Sequence, residues 1–598
     1  MPGTTSVGAW WLSGRKLTPG LLALCVVAAV LFVWPVAMLL IGAFRTAPPG
    51  LGGHWTVHGF TGVLGNGAVW HAFANSLLLS GATVLIATTL ALYLAWTVTR
   101  TRTPLRRLVT PMMVLVFTIP PLFFTLSWAM LGEYPAGLVD KVLSDLFGST
   151  PINVQSWYGM IGVSVMGATA AEYLLLLGPF MALDRSLHEA SLVCGARRLR
   201  TFLRIELPVM APAVLGVVIL GFVLGLSLLT VPLLLGEPAG IYVLPTEVYR
   251  YIDGRTPPDY AGASTISLLL VVVMLVLVAA QWRLLRRRRF TTVGGKGYRR
   301  DPVDIGRWKW LGTAIIVLYG LFALLLPLGQ LVLGSLEPYF GVYSHLSFAN
   351  YNTVLHTPGV GSAFTTTLVV SVVAGFVASA LAVWIALTMQ RSRSRLRHLP
   401  DLAVWLLWAV PGITLGLGMI WAYLSVPGLR NLYATEWIVL VALIVGTTPI
   451  ASRAVTGSIA QIGSELDEAA RTAGASALRA TLGIVIRLIL PSFLAAWFLT
   501  AIVSAGNLDI PILLASANNQ TVPLVAYDLF NNGSLAQAAA VFCLFIAMVA
   551  AGLALGLVIR AALARFATRG ARVSTSAAAV SPAFVTSTPL VRGGGGSA

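Results

Sequence analysis

About twelve apolar stretches, each long enough to cross a bilayer, alternate with short polar loops along this chain. A helix needs roughly 20 apolar residues to span the hydrocarbon core. The stretches lie near 20–44, 73–98, 108–132, 157–183, 209–235 and 262–282, then 310–334, 363–389, 401–424, 437–458, 491–515 and 537–560. Only 10% of the 598 residues are charged, against about 25% in soluble domains. Continuous apolar runs of this length, not alternating ones, predict an all-α polytopic membrane protein. The first run is too long for a signal-peptide core and lacks a cleavage site, so it reads as a retained span.

The cations fix the orientation. The formal charge of +18 would suit a nucleic-acid binder, but its distribution points elsewhere. All but five of the 39 Lys and Arg fall in alternate loops and at the two ends; the exceptions are Arg45, Lys141, Arg250, Arg255 and Arg430. Positive charge stays on the cytoplasmic side of membrane proteins. Both termini are therefore expected in the cytoplasm, in contact with a lipid bilayer and with no nucleic acid. Cys25, Cys194 and Cys543 are too scattered for a disulfide framework or a metal site.

The two halves repeat. Phe73-Ala74-Asn75-Ser76-Leu77 matches Phe364-Thr365-Thr366-Thr367-Leu368, and Leu105 to Leu108 matches Leu396 to Leu399, both at an offset of 291. Pro120 matches Pro411 at the same offset. Beyond the outer loop after the third span the offset falls to 279, relating Glu189 to Glu468, Pro212 to Pro491 and Thr230-Val231-Pro232 to Asp509-Ile510-Pro511. The expected organisation is 1–60, an N-terminal segment with the first span; 61–282, a first six-span unit; 283–309, a basic linker; 310–560, a second unit; and 561–598, a basic and then disordered tail. The Gly-rich end, 593–598, resembles a flexible linker and is set aside.

One polar loop recurs on the basic side. The first copy reads Glu189-Ala190-Ser191, then Gly195, Ile205 and Leu207-Pro208; the second reads Glu468-Ala469-Ala470, then Gly474 and Ile484. Small residues after the acid make a short helix that a partner can approach closely, and each glycine can end that helix at positive φ. A polar loop duplicated in both halves predicts a docking surface for a soluble partner. Pro208 is replaced by Arg487 in the second copy, so the following span is expected to start differently there.

These loops, Asp184 to Pro208 and Leu466 to Ser476, resemble the EAA loop of type I ABC importer permeases, the membrane subunits of binding-protein-dependent importers. The resemblance covers nearly everything from 60 to 560. The stretch Val231 to Leu244 is most similar to fused double permeases of the ferric-iron type, with thiamine, phosphonate and polyamine permeases as relatives. The resemblance implies that Glu189, Ala190 and Gly195, with Glu468, Ala469, Ala470 and Gly474, couple to two copies of a cytoplasmic ABC ATPase. It implies a bacterial inner-membrane protein that receives its solute from an extracytoplasmic binding protein. ATP and Mg would be bound by the ATPase, and no cofactor by this chain.

This chain carries no Gly-x-x-x-x-Gly-Lys-Ser/Thr phosphate loop of its own, so it reads as a permease and not an enzyme. Helix breakers at matched positions point to a transport route. Thr230 and Pro232, with Asn507, Asp509 and Pro511, are therefore candidate pathway or gate residues. Glu172 joins them as a carboxyl group in mid-span. Glu237, Glu247, Asp253, Asp259, Glu337 and Glu436 are candidates for contact with a binding protein. An ion-coupled secondary transporter is the competing class, but it leaves the paired loops unexplained.

Overall fold

The computed structural model describes residues 19–578 apart from 134, 149–152, 184–189, 192, 197, 287–303, 393, 463–468, 471, 475, 477, 478, 480, 517 and 518. The basic linker lies largely outside the described residues. The first half contains α1 Pro19–Gly42, α2 Gly67–Arg100, α3 Arg106–Thr118, α4 Pro121–Leu131, α5 Trp157–Ala182, α6 Phe202–Leu226, α7 Leu244–Ile252 and α8 Tyr260–Arg286. The second contains α9 Trp308–Leu336, α10 Val360–Arg391, α11 Arg395–Leu407, α12 Gly412–Leu424, α13 Glu436–Ala460, α14 Gly483–Ala505, α15 Val522–Asn531 and α16 Leu535–Ala578. Ten helices among the described residues are long and apolar enough to cross a membrane, and up to twelve spans result if each of two bent pairs counts as one.

Those bent pairs correct the expected third and ninth spans. Helices α3 and α4 meet at 96°, and α11 and α12 at 117°. Pro120 and Pro411 hold extended backbone at the breaks, with ψ of 140° and 152°. Proline lacks an N–H and pushes the preceding residue out of the helical region, so matched prolines make matched breaks. The fifth and eleventh spans also end sooner than expected, at Leu226 and Ala505. Asn507 ends the latter with a local turn, its Oδ1 accepting the Ile510 N–H at 3.0 Å.

Repetition extends to backbone irregularities. Wide π turns occupy Ala29–Val33 in α1 and Leu321–Leu325 in α9, each just ahead of a proline, Pro35 and Pro327. A second pair, Phe202–Glu206 and Thr481–Val485, opens the spans that follow the paired loops. These positions are 279 residues apart, so the expected difference at Arg487 is absent from the backbone. The π turn belongs to the repeat and does not depend on Pro208.

Each half is built on three packed helices: α2, α5 and α6 in the first, α10, α13 and α14 in the second. Small residues permit the close approach. A Cβ on Gly375 would stand 2.8 Å from the Ala501 backbone nitrogen, a spacing that suits helices in lipid, where packing replaces the hydrophobic effect. The halves also exchange their first spans. The second part of α1 packs on α12, and the second part of α9 on α4. Gly42 lies against the Trp421 ring and Gly418 against the Pro35 backbone, while the Trp421 indole donates to Ser264 Oγ at 2.9 Å.

The longer outer loop of the first half folds as an additional amphipathic helix, Leu138–Phe147. Its Lys141 reaches the Gly341 carbonyl of the second half at 3.2 Å. The chain divides into compact units 1–543 and 544–598. The described part of the latter is helix, which continues to Ala578, into the 561–598 tail that was expected to become disordered; 579–598 lie outside the described residues.

The exchanged span gives a test. Gly418→Val drives a side chain into Pro35 and is expected to destabilise the protein by about 1–3 kcal/mol, the usual cost of overpacking. Thermal unfolding in detergent should show the loss, with Gly178→Ala, at a position open to space, as the neutral control.

Candidate functional site

The paired loops fold alike where they are described. In the first, Cys194 N–H donates to the Ala190 carbonyl and Ala196 N–H to the Ser191 carbonyl, both at 3.1 Å. In the second, Ala473 N–H donates to the Ala469 carbonyl at 3.1 Å. Gly195 and Gly474 then take φ of +79° and +87°, the left-handed cap that glycine accommodates without strain. Ala190, Gly195, Ala469 and Gly474 are exposed, Ala470 partly so. Val193 is 87% exposed, an apolar side chain on the surface of the first loop. Glu189 and Glu468 lie outside the described residues.

Equivalent positions are supported differently. Ser191 Oγ and Thr201 Oγ1 share a hydrogen bond of 2.8 Å in the first loop. The sequence places Ala470 and Ala480 at those positions in the second. Behind the first loop, Arg100 at the end of α2 lies 3.7 Å from Glu206, with both side chains buried. Arg100 also donates to the Leu183 carbonyl at 3.2 Å, just before the loop begins. Its repeat mate is Arg391, but the mate of Glu206 is Val485. There Gln390 holds the corresponding Ile462 carbonyl at 2.9 Å. Sequence reading missed this brace because its partners are far apart in the chain and meet only when α2 packs on α6.

The matched helix breaks converge where the halves meet. Thr230 Oγ1 donates to Asp509 Oδ1 at 3.2 Å. These two residues occupy the same position in the repeat, and such mates can touch only close to the axis relating the halves. Gly506 fits against Pro120, and Gly412 against Asp509 Cβ, so closely that a Cβ on either glycine would collide. Pro232 and Pro511 are buried, whereas Asn507 and Asp509 are partly accessible. Among the described residues no cation pairs with Asp509.

Glu172 is placed elsewhere. It is buried among α2, α5 and α6, where Thr88 Oγ1 donates to its Oε2 at 2.5 Å and Gly221 lies against its Oε1. These neighbours all belong to the first half. The repeat mates are Ala451, Ser379 and Thr500, and there Ser379 and Thr500 share a 3.4 Å hydroxyl contact.

On the side away from the paired loops, α7 and α15 start alike. Ser76 Oγ accepts the Leu244 N–H and Thr367 Oγ1 the Val522 N–H, each at 2.8 Å. Tyr249 and Tyr527 lie close enough across the halves to influence each other electrostatically. Several outer acids prove to be engaged internally. Glu247 is buried 3.2 Å from Arg250, Asp259 pairs with Arg255 at 3.3 Å, and buried Glu337 accepts the Gly341 N–H at 2.7 Å. Burial pushes the Glu247 carboxyl above its usual range while Arg250 pulls it back. Asp253 and Glu436 remain exposed, with Glu237 partly so.

The buried brace is testable. Arg100→Leu removes the buried guanidinium 3.7 Å from Glu206 and is expected to cost about 3 kcal/mol, as for other broken buried pairs. Thermal unfolding should register it, and adding Glu206→Val, the second half's own residue, should restore part of the loss.

Residues 87–290 and 378–571 each match the family described as "Binding-protein-dependent transport system inner membrane component". The matches begin 291 residues apart, the offset of the early repeat. The chain is 25% identical to the "Ferric transport system permease protein FbpB" of Actinobacillus pleuropneumoniae over 88% of its own length and 76% of the relative's. It is 26% identical to the "Putative ferric transport system permease protein FbpB 1" of Haemophilus influenzae, over 83% and 78% respectively. A "Putative 2-aminoethylphosphonate transport system permease protein PhnV" of Salmonella paratyphi A is 26% identical over 40% of this chain and 89% of that protein. The duplicated match, the helical repeat and the apolar spans agree, and this chain belongs to the family of binding-protein-dependent transport system inner membrane components, as a fused double permease.

Proposed function

We propose that this chain forms the translocation pathway of an ATP-driven importer for ferric iron or an iron complex. The observation that carries the importer reading is the pair of exposed loops at repeat-equivalent positions, each closed by a positive-φ glycine. In this reading the basic side and both termini face the cytoplasm, and each loop seats one copy of an ABC ATPase that binds ATP and Mg. A binding protein delivers cargo to the outer face, where Asp253 and Glu436 are exposed. ATPase closure moves the halves about the junction of Thr230, Pro232, Asn507, Asp509 and Pro511. Iron as cargo rests on the two ferric permeases that match most of the chain. The match to a phosphonate permease favours the second reading, an organophosphonate cargo.

Purifying the chain with its ATPase and binding protein tests both. ATP-dependent uptake of ferric iron into proteoliposomes is the expected result. Uptake by the chain alone, driven by an ion gradient, would overturn the importer reading; a phosphonate on the copurified binding protein would replace the iron.

Reversing charge at Glu189 and Glu468 together, each to Lys, is expected to abolish binding-protein-stimulated ATP hydrolysis while the chain still inserts. The single variants should differ in severity, because Ser191 and Thr201 brace only the first loop. Persistent stimulation in the double variant would remove these loops from the coupling role.

A further inference from the structure

We infer that the second half holds a binding site for a phospholipid headgroup carrying both a phosphate and a primary ammonium. The site is a cavity of about 310 Å³ among α10, α11 and α13, lined by Gln390, Asp401, Trp405, Ser452, Arg453 and Thr456, among others. Gln390 is the penultimate residue of α10, Asp401 lies in the first turns of α11, and Arg453 is two turns from the end of α13. All three ends lie on the basic side, so the cavity sits at the depth of the lipid headgroups in that leaflet.

The charges in the cavity are complementary to such a headgroup. The Arg453 guanidinium rests 3.5 Å from the centre of the Trp405 ring. Asp401 feels Arg453 electrostatically, yet among the described residues no ion pair of 4.0 Å or less joins them. A cation and an anion thus face one cavity without neutralising each other directly. A phosphate satisfies Arg453, and an ammonium on a two-carbon tether satisfies Asp401. Arg suits phosphate because its planar donors match the oxygens, and basic pockets between spans on this side bind lipid headgroups.

The surroundings favour a lipid over a soluble solute. Leu399, Leu402, Trp405 and Leu406 are 39–54% exposed along one side of α11, an apolar stripe for acyl chains. Half-exposed tryptophan is at home at the membrane interface.

The first half serves as an internal control. There Thr110, Val114, Tyr173 and Leu174 stand at the positions of Asp401, Trp405, Ser452 and Arg453. Buried Tyr173 reaches Thr110 with a hydroxyl contact of 2.7 Å and fills the space. Ser452 is too short to reach Asp401, so the same junction stays open in the second half and gains two charges.

Native mass spectrometry of the delipidated full chain, offered phosphatidylethanolamine or phosphatidylglycerol in mixed micelles, tests the site. Preferential retention of phosphatidylethanolamine is expected. Arg453→Leu or Asp401→Thr, the first half's residues, should each weaken it by roughly tenfold, as for loss of a hydrogen bond to a charged group. Ser452→Tyr should close the cavity and abolish retention while adding no charge defect, which keeps the test sound if a charge variant folds poorly. Equal retention of phosphatidylglycerol, or retention unchanged in Ser452→Tyr, would overturn the assignment. Displacement by soluble phosphoethanolamine at equal concentration would likewise overturn the lipid as occupant.

Discussion

In hydrocarbon a backbone N–H has no water to turn to, so every helix break must be satisfied from within the protein. This constraint governs the arrangement of both halves. Both halves contain broken helices, and the freed N–H groups find acceptors nearby. Ser76 and Thr367, on the long helices α2 and α10, receive the first N–H groups of α7 and α15. Asn507 closes its own turn. Pro120 and Pro411 place the bends where no N–H is required of them. The exchanged first spans then pack over α4 and α12, so the least regular parts of each half are covered by the other.

Within this shared frame the halves have specialised in their polar interiors. At the junction of α2, α5 and α6 stands a carboxyl group held by Thr88, and at the matching junction of the second half two hydroxyls meet. Behind the first loop Arg100 faces Glu206; behind the second, glutamine takes over the hold on the loop's entry. Both glycine caps and two pairs of π turns recur, although the π turn Pro232–Gly236 gives way to α-helix at Pro511–Leu514, while the polar contents change more. Close packing explains this: a backbone shift disturbs many contacts, whereas exchanging Glu and Gly for Ala and Thr conserves much of the volume.

Much of this was legible in the sequence. Span number follows from apolar run length, and the repeat from Phe73, Pro120 and Thr230 with their mates. The left-handed caps followed from Gly195 and Gly474. The bends at Pro120 and Pro411 were marked by their prolines, but the angles were not, since apolar residues continue through both breaks. Glu172 was visible in the sequence as a carboxyl group in mid-span, yet its surroundings could not be read from α5 alone. They include Gly221 in α6, whose missing side chain makes room for the carboxyl group. The exchange of first spans left no signal in periodicity, because a helix facing lipid and one facing the other half are both apolar.

The contact between Thr230 and Asp509 has a consequence for ancestry and design. In a permease made of two identical subunits, whatever residue stands on the two-fold axis stands there twice. Two aspartates would repel each other in a low-dielectric setting, and two threonines would supply no charge. A single carboxylate at that point requires the two copies to be encoded separately. Joining them in one polypeptide guarantees that each assembled molecule carries one of each, so the fused gene permits a single carboxyl group at the centre of the molecule.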